Sequence, residues 1–565
     1  MGKKKTFEKD NIIKGIIKWL HFYRNFHFKA LVIGLFLICI YLSLKGLDNC
    51  YFWDDEAHVA IFARNLLSTG KLTGWDGRNL FGFRNGTLLD KNLCSINSPL
   101  DYLLCALSFK LFGYSTWTGR ILFVIMGLIA LGIFSLILKE DFGKDKWLWF
   151  FSFCGFAFST VFLLHIRQCR YYSLSLLFSL LTFYFYRQSI LKKKAYDFIF
   201  LALSAVLLFY SNYLLAVAFL LSLGIIHFIF HFRRLSGKEW LRLALSVTLF
   251  IIFTIPYGIK NRVWYRPDIP VNQPFLPWKL ELLWWNIREL NLITCLPWVV
   301  VVGLIVFIFC YWKKEGMVKK ILELGLLVLS NTFFVTLFSP QSTQVTSIAD
   351  VRYLIASVPF CYGLFGIFLW FIHRWNKVVA LVLFGIIITT NLLTVTPFNW
   401  KFRWLLPAYI YEVHNEYPTA YSEVVKYLEK NAKQDEQVYC FPEYTNYPLM
   451  FYLGDKIKFC CLLDKNTHLP YEKVKSLNAP LFIEENFPDW FIAFGGDPNA
   501  VRLLQFFSRP HLEGEKEVQF KYQFVGIIDV YGIDMTRPEL PWHSFGPIKN
   551  FDRQTSAVYV FRRLL

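Results

Sequence analysis

The sequence predicts a polytopic α-helical membrane protein with a C-terminal α/β domain on the outer side of the bilayer. Three observations lead there. Charged residues make up 18% of the 565 residues and hydrophobic ones 55%, whereas a soluble domain carries about 25% charged. Long uncharged runs rich in Phe recur through the first 400 residues, and runs of that length suit a bilayer. After residue 400 the apolar runs shorten, while charge and Pro rise.

The apolar runs divide into eleven expected spans, near 28–47, 118–138, 147–165, 171–187, 196–211, 213–232, 241–259, 293–312, 319–337, 353–372 and 377–396. Asn212 marks the division of the 196–232 pair, which can also be read as one long bent span. A further apolar piece, 98–113, is short for a span; counting it and a compensating crossing gives the range 11–13. The first run is expected to remain as a span, because it is about 19 residues long and no small-x-small cleavage site follows it.

Net charge is +19. Such a balance also suits nucleic acid, but here the positive residues sit in short loops, so topology control is the reading and no nucleic-acid partner is expected. Alternate connections are the basic ones: "MGKKK", Lys139 with Lys144 and Lys146, "RQSILKKK", "RRLSGKEWLR", "KKEGMVKK" and "HRWNK". The positive-inside rule then places residues 1–27 in the cytoplasm, a membrane domain over 28–399, and a domain over 400–565 outside. The resulting expectation is a bacterial cytoplasmic (inner) membrane protein.

The outer connections are unequal. The first, 48–117, is long and holds two amphipathic pieces, "EAHVAIFARNLLSTG" and "SPLDYLLCALSFKLFG". Ala57, Ile61, Phe62 and Leu66 recur at helical spacing, which predicts a helix along the membrane surface. Loops 260–292 and 338–352 are the other outer connections singled out; long loops are often functional. In the last domain, "TAYSEVVKYLEKNA" and "NYPLMFYLGD" read as helices, and "QVYCF" and "AVYVF" as strands. Cys39, Cys154, Cys169, Cys310 and Cys361 read as small buried residues. Cys50 and Cys94 flank the first loop, where a disulfide between them is one option.

The spans hold almost no carboxylates, and Asp197 and Glu323 lie near cytoplasmic ends. Coupled transporters need ionisable groups at mid-membrane, so this pattern argues against transport. Polar residues gather instead at the outer rim. Its acidic side is Asp54, Asp55 and Glu56, with His58 nearby. Its basic side is Arg167 and Arg170 in "HIRQCRYYSL", Lys260, Arg262 and Arg266 in "IKNRVWYR", and Arg352 in "VRYLIASVP", with Tyr171 and Tyr353 adjacent. Arg forks suit a phosphate held at headgroup depth; each can also simply snorkel to ordinary lipid. The carboxylates fit a general base or a solvated acidic turn. No residue pattern demands a cofactor, although Asp54, Asp55 and His58 can also surround a divalent cation.

The stretches "DDEAHVAIFARNLLSTGKL", "NSPLDYLLCALSFKLFG" and "STWTGRILFVIMGLIALG" resemble the first outer loop and second span of membrane glycosyltransferases with the C-type (GT-C) fold. The branch is that of the bacterial protein O-mannosyltransferase and aminoarabinose-transferase superfamily. "RQCRYYSLSLLFSLLTFYFYR", "FYSNYLLA" and "RYLIASVPF" look like later family segments. "VVKYLEKNAKQDEQVYCF" and "LMFYLGDKI" resemble the outer domain. The resemblance implies transfer of a sugar from a polyprenyl-phosphate donor to an outer glycan, lipid or protein, with inversion at the anomeric carbon. It implies that Asp55 and Glu56 are the family's Asp-Glu pair with Asp55 as base, and that Asp54 is an extra acid. It places Arg170, Arg352 and Tyr353 near the donor phosphate. The chain departs from the pattern in reading "NSPL" where relatives carry His-Pro-Pro-Leu or Lys-Pro-Pro-Leu, in lacking an acid at the start of the fourth span, and in Asn212 where a His is frequent. A flippase for a lipid-linked glycan and a non-catalytic envelope assembly protein are the alternatives.

Overall fold

The computed structural model describes residues 28, 30–143, 145–263, 274–311, 315–341, 343, 351–394, 402–416, 418–461, 463, 469–477, 479, 487–508, 510–513, 516–519, 521–530, 537–538, 543, 545 and 557–564. Arg266, the basic segment 1–27 and residues 344–350 of the last outer loop lie outside the described residues.

Each expected span holds a helix. Five helices are long and apolar enough to cross a membrane: Thr116–Phe142, Tyr172–Leu191, Tyr213–Arg234, Gly237–Lys260 and Gly316–Phe338. Lys146–Ala157 and Thr160–Ile166 pass the same test together and meet at a 49° bend. Ala30–Leu44, Ala195–Ser211, Trp298–Cys310 and Lys377–Thr389 are apolar but shorter. The shortening has local causes, because capping residues interrupt the runs. Asn212 is extended (φ −161°, ψ 117°) and its side chain accepts from the Leu215 N–H, ending one helix and starting the next. Ser159 does the same at the 49° bend, accepting from the Phe162 N–H. The 196–232 stretch is therefore two helices. Phe275–Leu292 is a helix in the fourth outer loop that the apolar runs did not reveal.

The first outer loop folds as a unit. Asp54–Thr69 starts with three acids, which favour the positive end of the helix dipole, and stops at Gly70 in the left-handed region (φ 74°). Ala57 through Ala63 are buried without a gap. This helix packs against Leu100–Phe112 and against Asn446–Leu453 of the last domain. Apart from His58, residues 57–63 are small or apolar, so this stretch takes cover on every side, part of it from the last domain.

The last domain is built on a five-stranded sheet. Its strands are β1 (Gln437–Phe441), β2 (Lys458–Phe459), β3 (Trp490–Phe494), β6 (Lys521–Asp529) and β7 (Ala557–Leu564), with β4 (Pro510–Glu513) and β5 (Lys516–Gln519) forming a separate hairpin. The order is β2-β1-β3-β7-β6. β1 runs parallel to β2 and β3, and β7 antiparallel to β3 and β6. The expected helices appear as Ala420–Asn431 and Asn446–Leu453. Phe62, Phe81 and Tyr102 of the first loop share one apolar core with Tyr447, Met450 and Ile492. That shared core fixes the loop, and the acids it carries, against the last domain. Among the described residues no disulfide forms, so the Cys50–Cys94 option is not taken up, and Cys310 is exposed rather than buried because its helix turns that side chain outward.

Candidate active site

Three consecutive acids at a helix start point in three directions, because each residue advances about 100° around the axis. Each meets a different arginine. Glu56 turns inward and is fully buried. Arg120 of Thr116–Phe142 binds it with a fork, Nε to Oε1 at 2.8 Å and Nη2 to Oε2 at 2.5 Å. The Cys169 N–H donates to Oε1 at 2.7 Å. Arg120 also donates to the carbonyls of Leu47, Cys50 and Tyr51. The pair ties the first loop to two spans and is almost wholly buried, with side-chain exposures of 7% for Arg120 and 0% for Glu56. Asp54 faces the last domain, with Arg537 Nη2 3.9 Å from Oδ2 and the Arg537 guanidinium over the Trp53 ring.

Asp55 faces the rim. Its Oδ2 is 2.5 Å from Arg352 Nη1 and 3.3 Å from Arg170 Nη2. Arg170 also donates to the Asp55 carbonyl at 3.4 Å. Side-chain exposures of 25% for Asp55, 14% for Arg170 and 18% for Arg352 leave the cluster reachable. Burial alone raises the Asp55 pKa, but the Arg170 and Arg352 fields, with smaller help from His58 and Arg537, outweigh it and hold the carboxyl at about 2. Each arginine stacks on its neighbouring ring, Arg170 on Tyr171 and Arg352 on Tyr353. Two donors beside Asp55 are unused: Arg170 Nε and the Tyr171 hydroxyl are buried without a hydrogen-bond partner.

Other expected site residues lie elsewhere. Arg167 donates to four carbonyls, those of Leu42, Ser43, Lys45 and Gly46, and so caps the first helix instead of joining the rim. The chain bends between Ile166 and Tyr172, which sends Arg167 and Arg170 to different partners. Arg262 is an exposed turn residue at φ 47° and, among the described residues, makes no ion pair with the Asp55 cluster. His58 stacks on Phe81 at 4.5 Å and shares a hydrogen bond with the Tyr102 hydroxyl at 3.0 Å. The cation site expected of Asp54, Asp55 and His58 therefore does not form, since its donors diverge. Among the described residues no three His, Cys, Asp or Glu side chains converge on a metal position.

Asp101 was missed by the sequence reading. It is buried at the start of Leu100–Phe112 and accepts from the Tyr102 N–H at 2.9 Å. Burial raises its pKa to about 7, against the opposing field of Arg170. The only available signal was its place two residues after Pro99.

Neither a protein-family model nor a curated protein sequence matches the chain. Solved structures do. The structure of ArnT from Cupriavidus metallidurans in the apo state superposes with a TM-score of 0.53 at 13% identity, covering 87% of this chain and 97% of that one. The fold is that of ArnT. The same protein bound to undecaprenyl phosphate gives 0.51 at 12% identity, over 94% of this chain and 97% of ArnT. ArnT is an aminoarabinose transferase with the C-type membrane glycosyltransferase fold. At this identity the likeness establishes the ArnT fold, and the chemistry rests on the residues described above.

Proposed function

We propose that this chain is a membrane glycosyltransferase that takes a sugar from a polyprenyl-phosphate donor and delivers it to a glycan, lipid or protein acceptor outside the cytoplasm. The reading places the protein in a bacterial cytoplasmic membrane with its N-terminus inside and its last domain outside, as the alternation of basic loops supports. The observation that carries it is Asp55, held between Arg170 and Arg352 with two unused donors alongside. The undecaprenyl phosphate bound to ArnT is a lipid of the class that such a cluster suits.

The chemistry follows from the charges. The donor phosphate brings oxygens that take the Arg170 and Arg352 donors and the Tyr171 hydroxyl. As they do, Asp55 loses the fields that hold its pKa near 2 and becomes a better base. The acceptor heteroatom attacks the anomeric carbon from the face opposite the phosphate, which inverts that centre. The bond from carbon to phosphate oxygen breaks and its electron pair leaves with the phosphate. The acceptor proton goes to Asp55. Negative charge grows on the departing phosphate, so the arginines stabilise the transition state more than the bound donor. Glu56 is a positioning residue that holds the helix start through Arg120.

Replacing Asp55 with Asn tests this directly. Sugar transfer should fall by roughly 10²–10⁴-fold, the size of a lost general base, with the protein still folded. Transfer at the wild-type rate would remove Asp55 from the chemistry.

A further inference from the structure

A second cavity lies where the first outer loop, the outer end of Thr116–Phe142 and the last domain meet. Its volume is about 710 Å³, within the range of small-molecule sites. We propose that this cleft binds carbohydrate, neutral or aminated, and holds the distal part of an acceptor glycan whose near end reaches Asp55; the acceptor role rests on the transferase reading, the sugar binding does not.

Four of the five aromatic rings on the wall come first. Tyr51 and Tyr452 stack at 4.1 Å, which gives a fixed wall. Trp117 and Tyr114 stand 39% and 55% exposed at the rim. A sugar presents one face of C–H groups and an edge of hydroxyls, so it matches flat rings set beside polar groups. The wall is also rigid. The Tyr452 hydroxyl accepts from the Phe52 N–H at 2.9 Å and pairs with the Thr116 hydroxyl at 2.7 Å, joining all three parts of the lining.

The lining charges are largely paired with one another, and one guanidinium donor, Arg78 Nε, is left without a hydrogen-bond partner. Both lining arginines are already neutralised: Arg64 by Asp76 at 3.3 Å and Arg78 by Asp435 at 2.8 Å. Three carboxylates, Asp48, Asp76 and Asp455, share the wall with these two arginines. The lining thus holds one more carboxylate than arginine, a balance that favours a neutral or amino sugar over phosphate. Asn65, buried in the same wall, donates through Nδ2 to the Thr73 carbonyl at 2.9 Å, while its Oδ1 has no hydrogen-bond partner. That is an acceptor suited to a sugar hydroxyl.

Arg64 of the cleft and Asp55 sit on one helix, nine residues apart, which is about 13 Å along the axis and half a turn around it. A glycan that reaches both therefore passes around the start of the helix.

The test is saturation-transfer NMR on the full chain in lipid nanodiscs, with glucosamine trimer, cellotriose and inorganic phosphate as probes. Both trimers should receive saturation, the amino trimer more strongly, and phosphate should not compete. Trp117→Ala should weaken trimer binding about fivefold, as loss of one stacking ring does, and Trp117→Phe should restore most of it. Asp455→Asn should narrow the gap between the two trimers. Binding in a chain that transfers no sugar supports the cleft and counts only against the transferase reading. No saturation of either trimer, or full affinity in a folded Trp117→Ala, Tyr114→Ala double variant, would overturn the proposal.

Discussion

Helix Tyr172–Leu191 has an arginine–carboxylate cluster at each end, and the two are built differently. At one end, Arg170 and Arg352 meet the single carboxylate of Asp55. At the other, Arg187 lies between Asp141 at 2.6 Å and Glu323 at 2.7 Å, with Lys320 on Asp141 and His231 on Glu323. The second cluster is balanced, cation against anion. It fastens Thr116–Phe142, Tyr172–Leu191 and Glu315–Phe338 to one another. The first has more cation than anion and keeps unused donors. An ion pair by itself says little about function, since both ends have several. In the proposed function it is the imbalance that offers phosphate a place.

The buried Glu56–Arg120 fork is a third case, more closed than either, and it bounds the largest expected effect. Glu56→Ala leaves Arg120 buried and uncompensated, so it should cost about 3–5 kcal/mol of stability, read as a large drop in the thermal midpoint and lost transfer together. A Glu56→Ala protein as stable as wild type would show that the fork is not a fastening. Arg352→Ala removes a charge-assisted pair to the phosphate, worth about 1.5–3 kcal/mol, and should weaken polyprenyl-phosphate binding about ten- to hundredfold with the fold intact. Arg187→Ala at the balanced end should do the reverse, lowering stability without moving donor affinity. If both arginines affect the donor equally, the contrast between the two ends fails.

The pH dependence sharpens the same contrast. Asp101 keeps its proton up to about pH 7 because it is buried. Below that pH it is neutral and leaves the field of Arg170 to the donor. Above it the carboxylate ionises and cancels part of the cation excess. Donor affinity should therefore fall as pH rises through about 7, and Asp101→Asn should flatten that slope. The smallest effect is expected of Arg167→Ala: a loss of about 1 kcal/mol or so in stability from the first helix cap, with donor binding unchanged.

Much of this was legible in the residues. The apolar runs located eleven helices, Asn212 marked a helix boundary, and "DDEA" marked a helix start. Asp55, Arg170 and Arg352 all stand out in the sequence, and in the fold they meet. What was not legible depends on long-range packing. The partner of Glu56 is 64 residues away on another helix. Arg167 and Arg170 look equivalent three residues apart, and only the break between two helices separates a cap from a rim residue. The Asp54–Thr69 helix has surface spacing, yet Asn446–Leu453 covers it, a contact between segments nearly four hundred residues apart. Burial of Asp101, which sets its protonation, leaves no local mark at all.

The central claim is that Asp55 competes with the donor phosphate for Arg170 and Arg352. It is tested most directly by titrating undecaprenyl phosphate into the full chain in nanodiscs, wild type against Asp55→Asn. The account predicts equal or tighter binding by the variant, since two guanidinium groups are released to the ligand, alongside loss of sugar transfer. Weaker binding by a folded Asp55→Asn protein would contradict it.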